Sequence, residues 1–202
     1  MLSGYGLGAI AIFLATLVAS LAGLFGRPEV IERSLFRPYW FLRRREYVTA
    51  ITSGFVHADG AHLFFNLFTF FFFAPGVERR IGTVHFVLLY FVALVLSNWG
   101  TWRKHHNNPH YASLGASGAI SAVLFASIVY SPGQSLFIIP IPVPIPAPLF
   151  AVGYLAYSWY AARRQVGRIN HDAHLGGALV GLLYVAMFDP DAYVRLLSLI
   201  AQ

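Results

Sequence analysis

Residues 57–75 read HADGAHLFFNLFTFFFFAP. Between Leu63 and Ala74 only Asn66 and Thr69 are polar and no residue is charged. Such a run suits lipid, where a spanning helix needs roughly 20 predominantly apolar residues. It predicts a helix over about 59–75, stopped by Pro75-Gly76. Five further apolar runs flank it: 6–25, 82–101, 114–131, a short aromatic run over 147–162 with Tyr154, Tyr157, Trp159 and Tyr160, and 172–188. The first lacks the basic leader of a signal peptide and reads as a helix.

Composition agrees. Of 202 residues 57% are hydrophobic and 11% charged, against roughly 25% charged in soluble domains, and the mean hydropathy is +0.63. A disordered chain is excluded, being charge-rich and poor in aromatics. Almost every charged side chain falls outside the six runs, with Asp59 and Asp172 at their margins. That follows from the cost of a charge at mid-membrane, about 3 kcal/mol or more. It removes the carboxylate relay that a pump or ion carrier uses. The chain has no cysteine, which excludes disulfide scaffolds, cysteine nucleophiles and thiolate metal sites. The net charge of +6 reads as basic loops beside anionic lipid headgroups. No groove-reading or base-stacking motif accompanies it, so nucleic acid is not an expected partner.

The expected fold is therefore all-α and polytopic, one domain over residues 1–202 with six transmembrane helices. Two connections are unusual. Residues 26–58 carry six arginines among Phe36, Tyr39, Trp40, Phe41 and Leu42, an amphipathic interfacial first loop. Residues 139–148, IPIPVPIPAP, alternate proline with apolar residues, which forbids helix and predicts a stiff polyproline-like connector.

Polar groups inside apolar helices need a reason. His62 and Asn66, four apart, share a helix face; both donate hydrogen bonds, and His57 stands at the helix mouth. Gly115-Ala116-Ser117-Gly118-Ala119 opens the fourth run. Small residues admit a neighbouring backbone, and a helix start offers free N–H groups to a developing oxyanion. Asn170-His171-Asp172-Ala173-His174 opens the sixth run, with Gly177 and Gly181 forming a GxxxG step. Each cluster alone is also explained by interhelical packing. Together they supply a hydroxyl nucleophile, an imidazole base and two side-chain donors. With six alternating spans, the starts of helices two, four and six lie on one side.

On these residues the chain resembles the rhomboid family of intramembrane serine proteases. The motifs occur in order: HxxxxHxxxN as His57, His62 and Asn66; GxSG as Gly115, Ala116, Ser117 and Gly118; and AHxxG as Ala173, His174 and Gly177. Val77–Gly82, VERRIG, resembles the family's second loop. The resemblance implies a six-helix bundle with a Ser117–His174 dyad and no acidic third member. It implies an oxyanion site made by His62, Asn66 and the Ser117 backbone N–H. Four residues near the site, His57, Gly115, Gly118 and Glu78, would be structural. No cofactor and no metal are implied. The partners would be single-span transmembrane substrates and the lipid bilayer. The location would be a bacterial plasma membrane, with the mitochondrial inner membrane as alternative.

Two positions depart from the family. Val48 and Thr49 stand where many members carry a Trp-Arg pair ahead of the first motif histidine. Ser121 stands four residues after Ser117, where some members place a tyrosine that stacks on the catalytic histidine. Support for the His174 ring is then expected from elsewhere. Orientation is contested: Lys and Arg number 11 on the side of the motif loops and 3 on the other, opposite to the positive-inside expectation for a site open to the extracytoplasmic side. Two other functions draw on the same residues. A catalytically inactive relative that binds client helices would usually lack the serine or the histidine. A histidine metal site could draw on His57, His62, His171 and His174, but HExxH is absent.

Overall fold

The computed structural model describes residues 6–138, 141–164, 167 and 169–200, and among these it forms nine α-helices, one 3-10 helix and one two-stranded hairpin. Helix α1 spans Leu7–Phe25. The segment that follows folds into three short helices, α2 (Pro28–Ser34), α3 (Pro38–Arg43) and α4 (Thr49–Thr52), and a 3-10 turn, Ser53–Phe55. Helix α5 runs from Gly60 to His105, α6 from Ser117 to Tyr130, α7 from Ala147 to Arg164 and α8 from His171 to Phe188. A terminal helix, α9 (Asp191–Ile200), follows the last apolar run and was not anticipated from it. Among the described residues α1 and α5 are long and apolar enough to cross a membrane, and α8 with α9, bent by 109°, adds a third candidate.

Pro75-Gly76 does not end the second helix, contrary to expectation. The helix continues through Pro75, and the break comes at Gly82, whose φ of 79° and ψ of 158° are non-helical. Proline is tolerated inside apolar helices because neighbours and local adjustments re-satisfy the freed backbone. A left-handed φ is cheap only for glycine. Residues 60–81 and 83–105 are thus two helices meeting at a kink, the first about 33 Å long at 1.5 Å per residue.

The proline-rich connector is also corrected. Ser135–Ile138 (β1) and Ile141–Pro146 (β2) pair antiparallel, with Leu136 opposite Ile145 and Ile138 opposite Ile141. Residues 139 and 140 lie outside the described residues. A strand points successive N–H groups to opposite edges, so prolines at 142, 144 and 146 share one edge and leave the other for pairing.

The core is built from small residues where α5, α6 and α8 cross. Ala93, Ala119, Ala122, Ala126 and Ala178 are fully buried. Outward, large apolar side chains remain exposed, among them Leu14, Phe72, Val92, Leu149 and Leu183, as a lipid-facing surface requires.

Helix α1 is fixed through a buried acid. The Glu78 carboxylate, 2% exposed, accepts the N–H of Gly8 at 2.9 Å and of Ala9 at 2.8 Å, and the Thr83 hydroxyl at 2.7 Å. Free N–H groups and the positive end of the helix dipole make α1's start a carboxylate site. Gly6 leaves room for it: a Cβ there would lie 1.9 Å from the Glu78 carboxyl carbon. Glu78 was expected near the functional site. It stands instead at the far end of α5's first half, about 24 Å from His62 along the helix, because its N–H partners are at the start of α1. Glu78→Gln should lower stability by about 2 kcal/mol, since charge-assisted bonds to backbone are lost. Thermal unfolding in detergent checks this; an unchanged melting temperature contradicts it.

Candidate active site

The start of α6 is held by the chain before α5. Phe36 and Ser113 form an antiparallel bridge with two 2.9 Å hydrogen bonds. The Gly115 N–H donates to Ser53 O at 2.8 Å. The Ala116 N–H donates to His57 Nε2 at 3.4 Å, which leaves Nδ1 to carry the ring proton and donate to Ser20 Oγ at 2.9 Å. The Ser20 hydroxyl in turn donates to Phe55 O at 3.0 Å. This relay needs a neutral imidazole. Burial, reinforced by His62 and opposed by Asp59, pushes the His57 pKa down to about 3. These contacts supply the anchor that Val48 and Thr49 do not offer; Thr49 only turns back on Glu46 O, at 2.6 Å.

Asp59 caps α5, accepting the His62 N–H at 2.7 Å, and so orients the face that carries His62 and Asn66. That face meets the loop before Ser117. Gly115 has a φ of 113°, and a Cβ there would lie 2.7 Å from His62 Nε2. Asn66 Nδ2 is 3.8 Å from the same point. Asn66 is buried, and among the described residues its Nδ2 has no hydrogen-bond partner. An unpaired buried donor costs about 1–3 kcal/mol, so it calls for an explanation.

The start of α8 is set by other groups. Asn170 Oδ1 accepts the Ala173 N–H at 3.1 Å, and its amide donates to Thr101 Oγ1 at 2.9 Å. Asp172 pairs with Lys104 at 2.9 Å, and Lys104 also donates to Ala162 O. Helix α8 then lies directly on α6. A Cβ on Gly177 would fall 1.8 Å from Gly118 O, and one on Gly181 2.3 Å from Ala122 O. Ser97 of α5 closes the third side, its Oγ 2.3 Å from the point where a Gly118 Cβ would lie.

Ser117 and His174 consequently open, from the same ends of two touching helices, onto one cavity of about 940 Å³. Asn66, Ser121 and Tyr154 also line it, and it extends to Arg80 and Tyr130. Among the described residues no hydrogen bond joins Ser117 to His174, and no Asp or Glu lines the cavity. His57, His62 and Asn66 gather around Gly115; Glu78 does not join them. Among the described residues His57, His62, His171 and His174 form no group of three His, Cys, Asp or Glu placed to hold a metal ion.

Residues 44–190 match the family model described as Rhomboid domain. The chain belongs to the rhomboid family. It is 30% identical over 186 residues to Rhomboid protein 1, mitochondrial, of Saccharomyces cerevisiae, a match covering 83% of this chain and 52% of that protein. It is 34% identical over 142 residues to Presenilin-associated rhomboid-like protein, mitochondrial, of Rattus norvegicus, covering 67% and 36%. Rhomboid protease GlpG of Haemophilus influenzae is 27% identical over 190 residues, covering 88% and 89%. The chain thus spans about half or less of the first two relatives and most of the third.

In this rhomboid several residues around the site carry no motif signal. Ser20, Ser97, Thr101 and Asn170 serve through contacts to segments distant in sequence. Tyr154 is another: its ring stacks on His174, with centroids 6.2 Å apart and planes 13° from parallel. Its hydroxyl is 2.8 Å from Ser121 Oγ. The aromatic richness of the fifth run was visible in the sequence; the partner of each ring was not.

Proposed function

We propose that this rhomboid is an intramembrane serine endopeptidase that cleaves single-span transmembrane helices through Ser117 and His174. The observation that carries the reading is the close crossing of α6 and α8 at Gly118 and Gly177, which turns a hydroxyl and an imidazole into one cavity beside Asn66 Nδ2, unpartnered among the described residues. His174 takes the Ser117 proton as Oγ attacks the scissile carbonyl carbon. The oxyanion is held by the Ser117 N–H, the Asn66 amide and the His62 ring. Collapse breaks the C–N bond, and His174 returns the proton to the leaving amine. Water, activated by the same base, then hydrolyses the acyl ester. His57, Gly115 and Gly118 are structural supports. With no carboxylate among the described residues lining the cavity, the base works as one half of a dyad.

The same reading takes residues 1–202 as a single domain with six spans: α1, the two halves of α5 on either side of Gly82, α6, α7 and α8. Helices α2 to α4 form the interfacial first loop. Arg43 and Arg44 lie over the Tyr39 and Trp40 rings at 4.0 and 3.7 Å, a pairing suited to the headgroup region. The host is a bacterial plasma membrane or, as the alternative, the mitochondrial inner membrane; two of the relatives are named as mitochondrial.

The test is cleavage of a model single-span substrate in liposomes by the wild-type protein and by Ser117→Ala. The variant should lose at least about 10³-fold in rate. Equal cleavage by both ends the assignment. Substrate binding without cleavage by the wild type would favour an inactive client-binding protein.

A further inference from the structure

We propose that Tyr154, held by Ser121, is a positioning residue for His174, so that the base is aligned only while α7 is docked against α6 and α8. The inference rests on the dyad proposed above. Three contacts fix the Tyr154 ring: the Ser121 hydroxyl at 2.8 Å, and the rings of Phe125 and Phe150 with centroids 5.4 and 5.7 Å away. Ser121 lies one turn after Ser117, so the nucleophile's own helix sets the height of the ring. The ring then lies nearly parallel to the imidazole, at a separation within the range of offset aromatic pairs.

A second rung matches the first. Tyr157 meets His171 edge-on, with centroids 5.6 Å apart, and His171 meets His174 at 5.8 Å. Tyr154 and Tyr157 are three apart on α7; His171 and His174 are three apart on α8. Spacing of three places each pair on one helix face, so the two helices register ring against ring. Little else of α7 is deeply buried: Ala147, Ser158, Ala161 and Ala162 are small, and Leu149, Val152 and Trp159 are exposed. Few bulky side chains hold α7, and the ring that steadies the base sits on that lightly held element. A shift of α7 away from α8 withdraws Tyr154 from His174.

The test uses the full chain in detergent. It reads the rate of fluorophosphonate labelling at Ser117, with kcat and KM on a single-span substrate. Tyr154→Leu should lower labelling and kcat together by about 10–100-fold, the scale of a misplaced catalytic group, with KM changed less than about two-fold. Tyr154→Phe and Ser121→Ala should each lower both rates by about 3–10-fold. Their combination should be no worse than either, since both remove one bond. Adding Ser121→Tyr to Tyr154→Leu should restore most of the rate by carrying the ring on α6. Wild-type labelling by a folded Tyr154→Leu, or a loss confined to KM, overturns the proposal. If Tyr154→Leu does not fold, the Tyr154→Phe and Ser121→Ala cycle decides, and absent or additive losses overturn it. Failure of the dyad reading is separate: the wild type would not label, or Ser117→Ala would label equally.

Discussion

Replacing His174 by alanine should lower fluorophosphonate labelling of Ser117 by at least about 10³-fold, the loss expected when the base of a serine nucleophile is removed. A serine hydroxyl at neutral pH reacts only as fast as its proton is taken; among the described residues no carboxylate lines the cavity, and His57 is committed to Ser20 and Ala116. The fold should survive the change. The start of α8 is fixed by Asn170 on Thr101 and by Asp172 on Lys104, and neither contact involves His174. Labelling at the wild-type rate by a folded His174→Ala would remove His174 from the reaction. A parallel loss of melting temperature would mark it as a packing residue instead.

Gly177→Val should cost more than about 3 kcal/mol of stability and abolish labelling with it. The added Cβ would meet Gly118 O at 1.8 Å and Gly118 C at 2.7 Å. These are backbone atoms, so no rotamer change relieves the overlap, and α6 and α8 must part. Overpacking that forces backbone shifts belongs to the severe class of substitutions. Thermal unfolding and labelling in detergent check it. Gly153→Ala on α7, where a Cβ meets nothing within 4 Å, is the control and should change neither. Wild-type melting of Gly177→Val would mean that α6 and α8 are not in this close contact.

Much of this was legible beforehand, for a physical reason. Lipid-compatible runs and the rarity of polar groups within them are local properties, so the apolar segments could be located, though the end of the second fell six residues short of the break at Gly82. His62, Asn66, Ser117 and His174 stood out because each sits near a helix start where an uncharged polar side chain is unusual. What failed was whatever depends on a partner. Pro75 has the breaker's chemistry, yet the backbone turns at Gly82, where a positive φ is possible. The proline run looked like a lone extended strap until β1 supplied a strand beside it. Glu78 resembled a loop residue and proved to be the N-terminal cap of a helix 69 and 70 positions earlier. Ser121 departed from the family's tyrosine, and a tyrosine 33 positions later bonds to it from another helix.

The amino-acid order alone determined which stretches avoid water and which uncharged polar groups those stretches carry, because transfer free energy and backbone propensity act within a few residues. Tertiary structure alone decided which of those groups meet. The approach of Gly118 to Gly177, the ring of Tyr154 beside His174 and the Asn66 Nδ2 left without a partner among the described residues arise from helices crossing at close range. A crossing is selected by packing between segments far apart in the chain, and no local pattern encodes it.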